Sequence, residues 1–403
     1  MIYRTLSLLI CVMVLAACQK TTKLKLTNDL SVAISGKRLV LKKTDFSDLA
    51  TSYFTLKDSK GTLIPIQFDD MDGDGVWDEV AFECDFEANE VLELELSATD
   101  KLPEFPKNTN VYLGYSPERN NEFTSVAANS RPSDHVALST PYLYQYEGPA
   151  WESELVGFRT YFDSRNGKDI FGKAKPQLCV EQIGLGENYH EMQDWGMDVL
   201  KVGSSLGAGA LAMFREDSIY RLGDTETADF RIITEGPVRS VLELTYGGWN
   251  VGGATYTVTE TISIWAGKRS YESRVRLGGR EGNEILVTGI VDLKKAAKGE
   301  LKSGGIQIMY TYGDQSENHD NLGMGLLVAE AGFAGFSKAP EEGDGVTNTY
   351  TALLNPVDDL YNFHFLAGWE VENEAFANQS GFEAALIEVA NELNANITVE
   401  LIQ

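Results

Sequence analysis

The chain has 403 residues, of which 43% are hydrophobic and 10% aromatic, and its 34 basic and 60 acidic side chains give a formal charge of −26 at pH 7. That length exceeds one minimal domain and is ample for a sizeable buried core. A surface this acidic repels nucleic acid and anionic lipid, so no nucleic-acid partner is expected.

Residues 1–17 read as an export signal rather than as part of the fold. Arg4 supplies the positive start, residues 6–15 a short apolar run, and Ala16 and Ala17 the small-residue end. The run is too short to span a bilayer as a stable helix. Leu15-Ala16-Ala17-Cys18 matches the bacterial lipobox, in which Cys18 becomes the acylated first residue of the mature protein. Several acyl chains on one residue anchor far more firmly than one. The alternative is an ordinary signal peptide with a chance cysteine. Residues 18–23 form a tether without the acidic residues that mark surface export in Bacteroidota lipoproteins. An outer-membrane lipoprotein facing the periplasm is therefore expected, its mature body carrying 33 basic and 60 acidic residues, or −27.

Downstream, short alternating runs broken by Gly, Asn and Asp dominate: "LKLTND", "TLIPIQF", "VLELEL", "SVLELTYGG", "TYTVTETISIW", "YESRVRLGG" and "GIQIMYTYG". They predict antiparallel strands with one wet face. The chain divides into an N-terminal β-sandwich over 24–110, a connector over 111–141 and a larger β-domain over 142–403. One amphipathic helix is predicted near the end, capped by Ser380, with Phe382, Leu386, Val389 and Leu393 on one face. "NITVELI" closes the chain as a strand. Cys84 and Cys179 each sit in an apolar run and read as small buried hydrophobes rather than as a disulfide pair.

Four stretches could carry chemistry. Asp70, Asp72, Asp74 and Asp78 follow D-x-D-x-D-G-x-x-D, most of a calcium loop, although Ala81 stands where an EF-hand has its bidentate Glu. A structural calcium is expected there, the alternative being an acidic hairpin turn, and no cofactor is expected for catalysis. "VGSSLGAGALAMF" lacks a nucleotide fingerprint, so its glycines read as points where strands approach closely. His319 among Asp314, Glu317 and Asp320 reads as turn chemistry more readily than as a metal site. His364 alternates with Phe363 and Phe365 and faces either a pocket or the core.

The fourth stretch runs from Tyr142 to Asp198. Between Phe158 and Pro176, Arg159, Arg165, Lys168, Lys173 and Lys175 stand against Asp163 and Asp169, a local +3 in an acidic chain. Such contrast suits an anionic ligand, or else a solvated strand face. Tyr144, Tyr146, Trp151 and Trp195 offer ring surface for stacking on sugars. In "ENYHEMQDWGMD", Tyr189 and His190 supply an acid–base pair. If the segment is helical, Asp194 orients His190, or His190, Asp194 and Asp198 bind a metal. A loop running into a strand weakens both versions, and a structural histidine is the plain alternative.

"YEGPAWESELVGFRTYFDSRNGKDIFGK", "NYHEMQDWGMDVLKVGSSLGAG" and the "DDMDGDGVWDEVAF" hairpin resemble a family of Bacteroidota lipoproteins whose genes accompany polysaccharide-utilisation loci. That family is similar to the ulvan oligosaccharide dehydratase. The resemblance implies removal of water from a non-reducing-end uronic acid of an oligosaccharide, leaving a 4,5-unsaturated uronate. The fold expected with it is all-β, the larger domain a supersandwich like those of galactose mutarotases and polysaccharide lyases. Taking H5 from a uronate requires the adjacent carboxylate to be neutralised, a role for Arg159 or Arg165. A base must then accept the proton and an acid must protonate O4. His190 and Tyr189 are the candidates, with Lys173 and the aromatic residues binding the sugar. A non-catalytic glycan-binding lipoprotein and a glycoside hydrolase or polysaccharide lyase are the competing readings.

Overall fold

A computed structural model describes residues 22–46, 53–282 and 284–402. The predicted lipidation site at Cys18 and most of the tether lie outside the described residues. Among them no helix is long and apolar enough to cross a membrane.

The fold is all-β, a smaller sandwich joined to a larger supersandwich. In the smaller one, a five-stranded sheet runs Ile397–Ile402, Thr22–Asn28, Val91–Thr99, Tyr53–Lys57, Leu63–Ile64. It faces a three-stranded sheet of Ile34–Lys42, Glu79–Phe86 and Ile66–Asp69. Alternation places Leu24, Leu26, Leu94 and Leu96 inside, against Phe54, Val80 and Phe82, while the lysines and glutamates between them reach water. The closing strand, assigned to the larger domain by sequence, belongs here instead. Leu26 pairs with Val399 and Lys25 with Glu400, so the two ends of the described chain share one sheet.

The supersandwich is built on a nine-stranded antiparallel sheet. Its order is Ala128–Ser130, Thr227–Thr234, Arg239–Val251, Ala254–Trp265, Ser270–Gly278, Tyr361–Trp369, Asn321–Ala329, Ile306–Asp314, Ala297–Ser303. Two five-stranded sheets cover one face. The first runs Gly196–Asp198, Lys168–Lys173, Val156–Thr160, Ala150–Ser153, Thr109–Tyr112, and the second is centred on Ile285–Val291. Trp151, Phe158 and Ile170 meet Leu244, Val258, Tyr271 and Phe365 in the shared core. Thr109–Tyr112, placed by sequence at the junction of sandwich and connector, is thus an edge strand of the larger body.

The helix Gln379–Asn394 lies on the opposite face of the large sheet, its Phe382 and Leu386 packed with Ile308, Tyr312 and Leu366. Gly323 and Gly325 make this approach possible, since a Cβ on either would stand 2.4 Å from Phe382 or Leu386. Asn378, not Ser380, caps the helix: its side chain accepts from the Gly381 N–H at 3.0 Å. In the glycine-rich stretch, Gly207 has φ +61° and its Cβ would meet the Lys168 carbonyl at 2.0 Å. Those glycines permit close backbone contact, as expected. Cys84 and Cys179 are buried and unbridged.

Candidate active site

The hairpin Val156–Thr160/Lys168–Lys173 sets Arg159 opposite Asp169, and Gly196–Asp198 adds Asp198 opposite Phe171. Because Phe158, Ile170 and Met197 point into the core, their strand neighbours Arg159, Asp169 and Asp198 share the outer face. The loop carrying Val180, Ile183, Tyr189 and Trp195 closes over that face with an apolar cluster of its own.

Arg159 is 2% exposed and fully engaged. Its Nη2 donates to Asp169 Oδ2 at 2.8 Å and to Asp198 Oδ2 at 2.7 Å, and its Nη1 to the Tyr146 carbonyl at 2.9 Å. The same Nη1 lies 3.4 Å from the Tyr189 hydroxyl. Burial works against the guanidinium charge, but Asp198 and Asp169 outweigh it and hold the group protonated. Tyr161 donates to Asp169 Oδ2 at 2.7 Å. Burial, helped by the Asp198 charge, pushes the Asp169 carboxyl up to about 7.

Asp198 Oδ2 also lies 3.3 Å from His190 Nδ1, while the His190 side chain is 62% exposed. The hydrogen bond to Asp198 raises the imidazole pKa, partly offset by burial. The ring of Tyr189 is 4.4 Å from that of His190. Burial raises the Tyr189 phenol, with Arg159 opposing. At the rim, Arg165 lies 4.2 Å over the Tyr161 ring and pairs with Asp163 at 2.5 Å and Glu147 at 3.1 Å. An exposed imidazole backed by a carboxylate and beside a phenol can move protons on a bound molecule.

Several sequence expectations change here. Arg159 cannot clamp a substrate, because its donors are spent on Asp169, Asp198 and Tyr146. Lys173 is buried on Glu152 at 2.5 Å and the Ser153 and Gln177 carbonyls, and Lys168 is buried on Glu260. The basic island is therefore mostly internal ion pairing, with Arg165 and Lys175 left to face solvent. Tyr144, Tyr146 and Trp151 are core residues with no ring face for a sugar. Trp195 is nearly buried, its indole N–H on Glu187 at 2.9 Å. The 187–198 segment is a turn-rich loop entering a strand, so exposed Asp194 is not one helical turn from His190 and Asp198 takes the orienting place. Tyr161 and Asp169 were missed; their signal was the alternation R-x-Y facing K-D, readable only once the hairpin register is known. His319 is exposed, 3.9 Å from Asp314. His364 is buried, and burial pushes its imidazole down to about 4.

Among the described residues, one group of metal-ligating side chains converges: Asp70, Asp72 and Asp78 bring an oxygen each within 4.8 Å of one another. Asp74 stays outside that group, its Oδ1 accepting from the Val76 N–H at 2.8 Å. Backbone N–H groups, that of Gly75 foremost, hold Asp70 below the usual carboxylate range. The donor set is hard oxygen, which fits calcium. His190, Asp194 and Asp198 form no such group.

Fold and site together describe an all-β protein of two bodies with a His–Asp–Arg cluster under a surface loop. The chain belongs to the family described as "Domain of unknown function (DUF4861)", whose model matches residues 26–399. It is 22% identical over 368 residues to "Uncharacterized protein P7" of Formosa agariphila, covering 86% of this chain and 84% of that one. Among solved structures, a glycosyl hydrolase family 38 protein and an α-mannosidase, both from Enterococcus faecalis, superpose on 96% of this chain at 8% identity and TM-score 0.45. The chain spans about half of their length, 48% and 46%. A putative aldose 1-epimerase from Klebsiella pneumoniae superposes on 70% of this chain and 95% of its own at 10% identity and TM-score 0.29.

Proposed function

We propose that this chain is a carbon–oxygen lyase that removes water from a non-reducing-end uronic acid of an oligosaccharide. The observation that carries the reading is the 3.3 Å contact between His190 Nδ1 and buried Asp198. With Nδ1 on Asp198, Nε2 is the nitrogen left to act as base, and the exposed ring can meet a substrate. Arg159 donates towards the Tyr189 oxygen, leaving the phenolic proton free to be given away.

In this reading Arg165 exchanges Glu147 for the uronate carboxylate and lowers the cost of charge at C5. His190 takes H5, the electron pair forms the C4=C5 bond, and the C4–O bond breaks. Tyr189 delivers its proton to the departing hydroxyl, which leaves as water, and the proton on His190 restores the phenol. No oxidant or metal enters the balance. The motif resemblance to lipoproteins of polysaccharide-utilisation loci supports the same substrate class.

The test is incubation with oligosaccharides ending in a saturated uronic acid. The expected products absorb in the ultraviolet through the new conjugated double bond and weigh one water less. Binding without any change of mass assigns the chain to glycan capture instead. A new reducing end without unsaturation assigns it to hydrolysis.

A further inference from the structure

Two carboxylates and one guanidinium are buried together beneath His190. The side chains of Arg159, Asp169 and Asp198 are 2%, 1% and 3% exposed, and a single nitrogen, Arg159 Nη2, lies 2.8 Å from Asp169 and 2.7 Å from Asp198. Among the described residues no lysine or other arginine stands within ion-pair distance of either carboxylate. With both carboxyls ionised and His190 neutral, the cluster therefore carries one negative charge in excess. A buried charge without its counter-charge is costly, and such a group takes up a proton instead.

The other groups facing the cluster leave that excess in place. Tyr161, at the end of the first hairpin strand, donates to Asp169 Oδ2 at 2.7 Å, and Tyr189 on the covering loop stands 3.4 Å from Arg159 Nη1. Burial raises both phenols, so they stay neutral. The Tyr146 carbonyl and the Ile170 N–H add hydrogen bonds but no charge. Arg165, over the Tyr161 ring, is already engaged by Asp163 and Glu147. Lys168, next to Asp169 in its strand, turns to the opposite face and pairs with Glu260. The missing positive charge is one proton. Asp198 Oδ2 is already occupied by Arg159 Nη2 and His190 Nδ1, which leaves Asp169 and His190 as the places for it.

We propose that Asp169 and His190 share a single dissociable proton, so that the buried cluster is neutral whichever of them carries it. Both states find partners. Ionised Asp169 accepts from Tyr161, Arg159 and the Ile170 N–H. Protonated, it can donate to the Tyr161 oxygen, because a hydroxyl turns to donate or to accept. Burial and the Asp198 charge push the Asp169 carboxyl up to about 7, while the hydrogen bond to Asp198 and, less strongly, the Asp169 charge raise His190. The two sites thus bind protons over overlapping ranges, and a proton on one discourages a proton on the other. The consequence for the reaction rests on the lyase reading: Asp169 is then a positioning residue. While it holds the proton, His190 is neutral, with Nδ1–H on Asp198 and Nε2 free to take H5.

NMR titration of the His190 imidazole in the intact chain tests the sharing without any substrate, so its outcome does not depend on whether the lyase reaction is found. The wild-type curve should be flattened into two steps. Asp169→Asn removes the competing site together with the excess charge, and should leave a single step displaced to lower pH by about 0.5–1.5 units. Tyr161→Phe keeps the ring under Arg165 but removes a charge-assisted donor from the carboxylate. It should move the proton towards Asp169 and lower the His190 midpoint by a smaller amount, which keeps the test open should Asp169→Asn fail to fold. Difference infrared spectra complete it in a Glu83→Gln background, which removes another carboxyl raised to about 7. A carboxylic-acid band should be present there and be lost as pH rises through the upper His190 step. The proposal is overturned if His190 titrates in one step that neither substitution moves, or if no carboxylic-acid band titrates with it.

Discussion

Asp198 Oδ2 stands 3.3 Å from His190 Nδ1 and 2.7 Å from Arg159 Nη2, so one carboxylate oxygen ties an exposed imidazole to a buried guanidinium. The contact raises the His190 pKa above its ordinary value of about 6.5. Its contribution to stability is complete below the unfolded pKa and fades as pH rises through the folded one. Asp198→Asn should return the imidazole towards its ordinary pKa, followed by NMR titration. The acidic limb of the pH–rate profile of the proposed reaction should move to lower pH with it. His190→Ala should cost about 10²–10⁴-fold in rate with only a small drop in melting temperature, since Arg159 still pairs with Asp198. A fully active His190→Ala would place the chemistry elsewhere.

Arg159 and Arg165 should separate cleanly. Arg159→Ala leaves Asp169 and Asp198 buried without their counter-charge, and should cost about 3–5 kcal/mol of stability in denaturant titration. Arg165→Ala removes a partly exposed guanidinium from Glu147 and from Asp163, whose side chain is 2% exposed, and should cost about 1–3 kcal/mol, less than Arg159→Ala. Its effect should appear as a higher KM for uronate-ended oligosaccharides. Equal melting curves for Arg159→Ala and wild type would refute the structural role assigned to Arg159.

The converging oxygens of Asp70, Asp72 and Asp78 lead us to propose a structural calcium. The wild type should then melt higher with calcium than with chelator, by about 2.7 kcal/mol at a hundredfold excess over Kd. Asp72→Ala should abolish the difference. Superimposable wild-type curves in the two conditions would mean the loop is an acidic turn held by its own N–H groups.

Glu83 gives a separate pH signature. Because burial raises its pKa from 4.5 to about 7, its stabilising effect is complete below the unfolded value and declines as pH rises to the folded one. The loss across that window is at most about 3 kcal/mol. Glu83→Gln should flatten stability against pH between about 4.5 and 7, read from urea midpoints. An unchanged pH dependence would show that Glu83 titrates as a solvated carboxyl.

For the lipobox we propose acylation at Cys18. Cys18→Ser should shift the protein out of the membrane fraction or block its processing. Unaltered membrane partitioning of that variant would rule acylation out as the anchor.

The linear pattern determined what depends on neighbours in sequence. Alternation at Leu24, Leu26, Leu94 and Leu96 specifies strands with one buried face. Phe382 and Leu386, four apart, specify a helix with one packed stripe. The paired Tyr189 and His190 mark acid–base potential wherever they are placed. Tertiary structure decided what depends on partners far along the chain. Register set Arg159 across from Asp169, and a third strand brought Asp198 to both Arg159 and His190. Those contacts turned an expected substrate clamp into an internal strut. The same long-range pairing carried residues 397–402 back to the first strand and buried Trp151 and Lys173, because the side of a sheet a residue faces, and what covers it, is fixed only when the strands meet.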